Sequence, residues 1–156
     1  MLPENLENLE RVLVIQVGNQ QDLTLTIPKL QKLRQSLANT VITLMVPPNA
    51  KALGLQIPWV DDVIIYEGVD DKFRNPEQEL ALISKLHQSA FDASVIFTNA
   101  KESPYPLAYI CYLAGIPIRI GQSEEFGGGV LSHCLGDWGL DASYELSVNI
   151  STPDNC

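Results

Sequence analysis

The sequence predicts a doubly wound α/β domain, a Rossmann-like parallel sheet with helices on both faces. Short apolar runs rich in β-branched residues, such as Val12-Leu13-Val14-Ile15, recur along the chain and read as buried strands. Stretches with apolar residues every three or four positions alternate with them and read as amphipathic helices. With right-handed crossovers, this βαβ(α)βαβαβ alternation gives the strand order 3-2-1-4-5. Ligands of such sheets sit beyond the carboxyl ends of the strands, at the switch point between strands 1 and 4.

A polar, acidic arm occupies residues 1–10. Arg11-Val12-Leu13-Val14-Ile15-Gln16-Val17 forms the first strand, and Gly18 ends it. Asn19, Gln20, Gln21 and Asp22 make a polar turn, after which Leu23, Ile27, Leu30, Leu33 and Leu37 mark one face of a helix. Asn39 and Thr40 break that helix; the second strand covers 41–46 and stops at Pro47-Pro48. A short helix fits 49–55, a third strand 63–66, and a charged loop 67–74. Asn75, Pro76 and Gln78 are a cap, a first-turn proline and a capping-box partner, so a helix starts there. Leu80, Ile83, Leu86 and Ala90 are its expected buried stripe.

The fourth strand covers 92–98. Ser103-Pro104 opens the next helix, Gly115 closes it and Pro117 lies just beyond. From Leu107 to Ala114 that helix carries no charge, so it is central to the domain or turns one face to a partner. Ile118-Arg119-Ile120 is a short fifth strand. Residues 121–139 read as a flexible loop around Gly127-Gly128-Gly129, 141–150 as a last helix, and 151–156 as a frayed end. The domain organisation is thus an arm (1–10), one domain (11–137) and a tail or the start of an interdomain linker (138–156).

The 156 residues suit about one domain, and an apolar content of 46% is enough for a core. Nineteen acidic residues against ten basic ones give a net charge of −9, a field that repels nucleic acid and anionic membrane. Cys111, Cys134 and Cys156 are far apart, and His87 and His133 are isolated, so neither structural zinc nor a disulfide framework is expected. Cys111 reads as core. There is no signal-peptide pattern and no stretch of membrane-spanning length, which makes the cytoplasm the expected location.

The phosphate-binding version of this fold is absent. Gly18 is the only glycine of the first loop, so there is no G-x-G-x-x-G, and there is no Walker lysine. Glu124 and Glu125 beside the glycine run would repel an anion. A nucleotide-binding protein of this fold would need phosphate chemistry that these loops lack. The first loop offers a carboxylate instead, Asp22, which reads first as a helix cap accepting from a free backbone N–H and only second as a functional group. The switch-point argument places Asn19, Gln20, Gln21 and Asp22 with Thr98, Asn99 and Ser103 along one crevice. Arg119 reads as a holder of an anionic group or as half of a structural ion pair.

Several of these residues together resemble glycosyltransferase family 9, which includes the lipopolysaccharide heptosyltransferases. The likeness begins with Val12-Leu13-Val14-Ile15, Gly18, Asp22, Leu25-Thr26 and Pro28. It continues through residues 41–47, Val60-Asp61-Asp62-Val63-Ile64 and Phe91-Asp92-Ala93. Leu113-Ala114-Gly115-Ile116-Pro117 and Arg119-Ile120-Gly121 complete it, and the whole covers about residues 10–137. The resemblance implies the acceptor-binding N-terminal domain of a two-domain GT-B enzyme. Such an enzyme transfers a sugar from a nucleotide-sugar donor to a saccharide hydroxyl, with inversion and without a metal cofactor. Asp22 sits where that family keeps its catalytic base, while Asn19, Gln20, Gln21, Thr98, Asn99, Ser103 and Arg119 become candidate acceptor contacts.

The resemblance also implies a saccharide or glycolipid acceptor, and a bacterial, cytoplasmic parent enzyme associated peripherally with the inner face of the membrane. Two positions depart from the pattern: Gln16 stands for a basic residue and Gln21 for a glycine. The donor domain is missing from this sequence, so the chain alone is expected to be inactive. The uncharged helix and the glycine loop are expected to form an exposed cleft surface, a candidate homodimer face. The alternative reading is a stand-alone, non-catalytic binding or scaffold module of the same fold.

Overall fold

The computed structural model describes residues 8–68, 75–98, 103–121, 130–135 and 150–151. Strands β1 (Arg11–Ile15), β2 (Val41–Val46), β3 (Asp62–Ile65), β4 (Ala93–Ile96) and β5 (Ile118–Gly121) pair in the order β3-β2-β1-β4-β5. All four of these pairings are parallel, as the sequence predicts. The sheet then runs further than expected. Strand β6 (His133–Leu135) pairs parallel with β5, and β7 (Ile150–Ser151) pairs antiparallel with β6. So β6 lies inside the stretch read as loop, and β7 begins where the last helix was expected to end. Strands of three and two residues are too short for hydrophobic periodicity to register. Gly127, Gly128, Gly129 and residues 141–149 lie outside the described residues.

Helices α1 (Gln20–Ser36) and α2 (Lys51–Leu55) cover one face of the sheet, and α3 (Pro76–Gln88) and α4 (Tyr105–Leu113) cover the other. Alternate side chains of a strand point to opposite faces. Val12 and Val14 of β1 therefore enter one core with Leu23, Leu30 and Leu33 of α1. Leu13 and Ile15 enter a second core with Leu86 of α3 and Leu107, Ala108 and Cys111 of α4. Burial on both faces is why the β1 sequence is continuously apolar rather than alternating.

Asn75 caps α3 as expected, its Oδ1 accepting from the Glu77 amide at 3.0 Å, but among the described residues no capping-box bond from Gln78 accompanies it. The expected buried stripe of α3 holds in part: Ile83 and Leu86 pack into the core together with Leu82, whereas Leu80 and Ala90 are exposed. Ala90 sits past the end of α3 with φ +52°, a left-handed conformation that closes the helix. Gly115 does the same for α4 with φ +79°. The two ends are joined by His87, whose Nδ1 donates to the Ala114 carbonyl at 3.0 Å; a carbonyl can only accept, so Nδ1 carries the proton. Helix α4 does bury more than one side, through Leu107, Ala108, Ile110, Cys111 and Ala114, yet Tyr109, Tyr112 and Leu113 are exposed.

The amino ends of the strands are sewn together by charged hydrogen bonds. Arg34 donates to the carbonyls of Trp59 (2.9 Å) and Thr40 (2.7 Å) and pairs with Asp61 at 2.6 Å. Asp61 also accepts from the Ile42 amide at 2.8 Å, and that bond, aided by Arg34, lowers its pKa below the ordinary 3.8. Asp92 accepts from the amides of Glu10 (2.8 Å) and Arg11 (2.9 Å).

Two predictions arise here. Ala90→Gly relieves the left-handed strain and raises stability by about 1 kcal/mol, read from urea midpoints. Asp61→Ala costs about 1 kcal/mol at neutral pH, discounted because the carboxylate is half exposed. A depressed folded pKa means the Asp61 contribution is complete above 3.8 and is lost as pH falls through the folded value, so the stability gap between wild type and Asp61→Ala closes below pH 3.8.

Candidate functional site

The tip of β1 is tied to both neighbours. The Gln16 amide donates to the Met45 carbonyl at 3.0 Å, and the Phe97 amide donates to the Ile15 carbonyl at 2.9 Å. The chain then turns through Gly18 into α1. Asn19, in extended backbone, is the cap: its side-chain oxygen accepts from the Asp22 amide at 2.9 Å. Asp22 reciprocates, its Oδ2 accepting from the Asn19 amide at 3.0 Å. This is a capping box, with Asp22 three residues inside rather than at the cap itself. Among the described residues, the other carboxylate oxygen accepts no hydrogen bond. The carboxylate lies at the positive end of the α1 dipole, half-buried beyond the carboxyl end of β1.

Gly18 makes this possible. A Cβ there would lie 2.8 Å from both Cβ and Cγ of Asp22 and closer still to Oδ2, so the carboxylate packs directly on the glycine backbone. Beneath it lies Gln16, 4% exposed. Its Oε1 accepts from the Gly18 amide at 3.0 Å, and its Nε2 donates to Thr26 Oγ1 at 2.9 Å. The Thr26 hydroxyl donates in turn to the Asp22 carbonyl at 2.9 Å.

The other expected residues are distributed as follows. Gln20 and Gln21 share the exposed first turn of α1, and Gln20 Nε2 donates to the Asn49 carbonyl of the β2–α2 connection. Thr98 follows the tip of β4, next to β1 in the sheet. Ser103 precedes α4, where its Oγ accepts from the Tyr105 amide at 3.3 Å. Asn99 lies outside the described residues. Arg119 stands apart from this group. It pairs with Ser94, at the level of Leu13 and two residues back from the strand tips. Its guanidinium donates to the carbonyls of Val130 and Ile116 (2.7 Å to the latter) and lies over the Tyr112 ring.

Cys111 is core: burial pushes its thiol up to about 11, against the opposing pull of Ser94 and the Arg119 charge. A groove of about 510 Å³ runs along the tip of β3 and the flank of α3, lined by Tyr66, Glu67, Gln78, Leu82 and Lys85 among others. It contains none of the expected site residues. Among the described residues no group of His, Cys, Asp and Glu could hold a metal, and no helix is long and apolar enough to cross a membrane.

The sequence pattern marks Gln16 only as standing for a basic residue, and it does not single out Asn19 as the cap or Thr26 as a partner. One signal was available. Thr26 lies on the same face of α1 as Leu23 and Leu30, and a hydroxyl on a buried stripe requires a buried partner.

No family model matches the chain, and no curated protein matches it by sequence. Solved structures do match it. The E. coli ADP-heptose lipopolysaccharide heptosyltransferase II superposes with a TM-score of 0.64 at 21% identity, over 81% of this chain and 34% of its own. A family 9 glycosyl transferase from Veillonella parvula gives 0.60 at 20% identity, over 73% of this chain and 32% of its own. This chain has the fold of the family 9 glycosyltransferases. The E. coli heptosyltransferase WaaC, solved with ADP-2-deoxy-2-fluoro heptose, gives 0.52 at 18% identity, over 72% of this chain and 36% of its own. The chain therefore spans about a third of the length of the glycosyltransferase structures it matches.

Within this glycosyltransferase fold, Gly18→Ala is expected to displace the Asp22 carboxylate and open the capping box. The cost is about 1 kcal/mol, the size of a lost helix cap. Urea denaturation reads it, and an unchanged midpoint would show that the carboxylate does not need the glycine.

Proposed function

We propose that this chain is the acceptor-holding domain of a family 9-like glycosyltransferase, and that Asp22 is its catalytic base. The observation that carries the reading is the Asp22 carboxylate itself. It stands at the switch point beyond the tip of β1, one oxygen held by the Asn19 amide and the other without a partner among the described residues. The fold shared with heptosyltransferases supports the reaction class.

In the proposed reaction an acceptor hydroxyl attacks the anomeric carbon of the donor sugar. The new C–O bond forms as the bond to the nucleotide diphosphate breaks on the opposite face, so the centre inverts. The hydroxyl proton passes to the free oxygen of Asp22. The Asn19 bond and the helix dipole hold the carboxylate in place, so little ordering remains at the moment of transfer. Amide and hydroxyl groups of Asn19, Gln20, Gln21, Thr98, Asn99 and Ser103 suit the hydroxyls of a saccharide. Arg119 lies two residues back from the strand tips, with Nε and Nη1 donating to backbone carbonyls, so the reading does not rest on it. The nucleotide-sugar site belongs to the portion of the longer proteins that this chain does not span. A glycolipid acceptor would bring the domain to the inner face of a bacterial membrane.

One observation favours a second reading, a binding module without catalysis: Asp22 already has structural work in the capping box. Asp22→Asn separates the two, since Asn can still accept from the Asn19 amide but cannot take a proton. In a transferase that contains this domain, Asp22→Asn is expected to lower turnover by about 10²-fold or more with the urea midpoint unchanged. Full turnover by the folded variant would leave the binding module. Calorimetry on this chain tests the acceptor half directly: a core oligosaccharide released from lipopolysaccharide should bind, and an ADP-sugar should not.

A further inference from the structure

We infer that Gln16 is a positioning residue for Asp22, acting through Thr26 and Gly18. The inference rests on the proposed role of Asp22 as the group that faces the acceptor.

The chain of bonds has a fixed direction. The Asp22 carbonyl can only accept, so the Thr26 hydroxyl proton points to it. Thr26 Oγ1 must then accept from Gln16, which places the Gln16 NH2 group towards Thr26. The Gly18 amide can only donate, which places Oε1 towards Gly18. One carboxamide thus grips the backbone on both sides of the turn: Gly18, on which the Asp22 carboxylate packs, and Asp22 itself.

Residue 16 must therefore accept and donate at once inside a buried site. Glutamate could still accept from Gly18, but the Thr26 hydroxyl would have to turn to it and release the Asp22 carbonyl. Lysine or arginine could donate to Thr26 but would leave the Gly18 amide without its acceptor and bury a charge. A basic residue at this position, the one the sequence pattern leads one to expect, cannot do what Gln16 does in this chain. The position is accordingly not an acceptor contact: the side chain is 4% exposed and both its ends are engaged internally.

The experiment uses the whole chain in four forms: wild type, Gln16→Met, Thr26→Val and Thr26→Ser. Gln16→Met keeps bulk and apolar packing and removes both bonds; Thr26→Val keeps shape and removes the hydroxyl; Thr26→Ser keeps the hydroxyl. NMR reads amide exchange at Gly18 and the carboxyl carbon resonance of Asp22. Gln16→Met is expected to speed Gly18 exchange by about tenfold or more and to move the Asp22 resonance. Thr26→Val is expected to move the Asp22 resonance, and Thr26→Ser to retain the wild-type value.

Wild-type values for both probes in Gln16→Met overturn the inference. So does faster exchange spread evenly over β1, β2 and β4, which would make Gln16 only a core residue. Binding of the lipopolysaccharide core oligosaccharide, measured on the same four proteins, keeps the two claims apart. If the Asp22 resonance responds as stated but wild type binds no oligosaccharide, the positioning role stands and the acceptor-domain reading falls.

Discussion

A buried carboxamide with both ends engaged is the constraint on which the candidate site depends. Strand β1 is sealed on both faces, so the chain must pass from a dry core to a solvent-facing turn within three residues. A buried polar group without partners costs about 1–3 kcal/mol, so Gln16 at this exit has to be satisfied inside the fold. Its partners are the turn at Gly18 and, through Thr26, the first turn of α1. The geometry of the Asp22 carboxylate follows from that bolt together with the capping box and the absence of a side chain at residue 18.

The two ends of the sheet are built differently. At the amino ends, Arg34, Asp61 and Asp92 hold loops to strands by charge-assisted hydrogen bonds. At the carboxyl end of β1 the fastening is neutral, an amide and a hydroxyl, and the charged group that remains is the Asp22 carboxylate at a helix start. Ionic fastening stabilises one end; at the other, the turn that carries Asp22 is held by neutral groups, with Lys29 over the Phe97 ring at the neighbouring strand tip. That arrangement suits the role of proton acceptor proposed for Asp22.

Much of this was legible in the sequence, for physical reasons. The parallel order β3-β2-β1-β4-β5 follows from apolar strands alternating with well-punctuated helices, and Asn75 with Pro76 marks the start of α3. The position of Asp22 follows from the same logic. What stayed hidden depends on three-dimensional partnership. That Leu80 is exposed while Leu82 packs into the core is decided by tertiary contact, and β6 is too short for periodicity to signal it. Gln16 looked like a missing cation because a linear pattern cannot show that its carboxamide meets Thr26, ten residues on, in the interior. The partners of Arg119 are hidden for the same reason, since only the fold shows the Ile116 and Val130 carbonyls beside it.

The central claim is that the strand tips around Asp22 receive a saccharide. The most direct measurement is an amide chemical-shift map of this chain titrated with a lipopolysaccharide core oligosaccharide. The account predicts saturable shifts at Asn19, Gln21, Asp22, Thr98 and Ser103, with the Arg34–Asp61 end of the sheet silent. Shifts confined to the β3–α3 groove, or to the exposed tyrosines of α4, would contradict it.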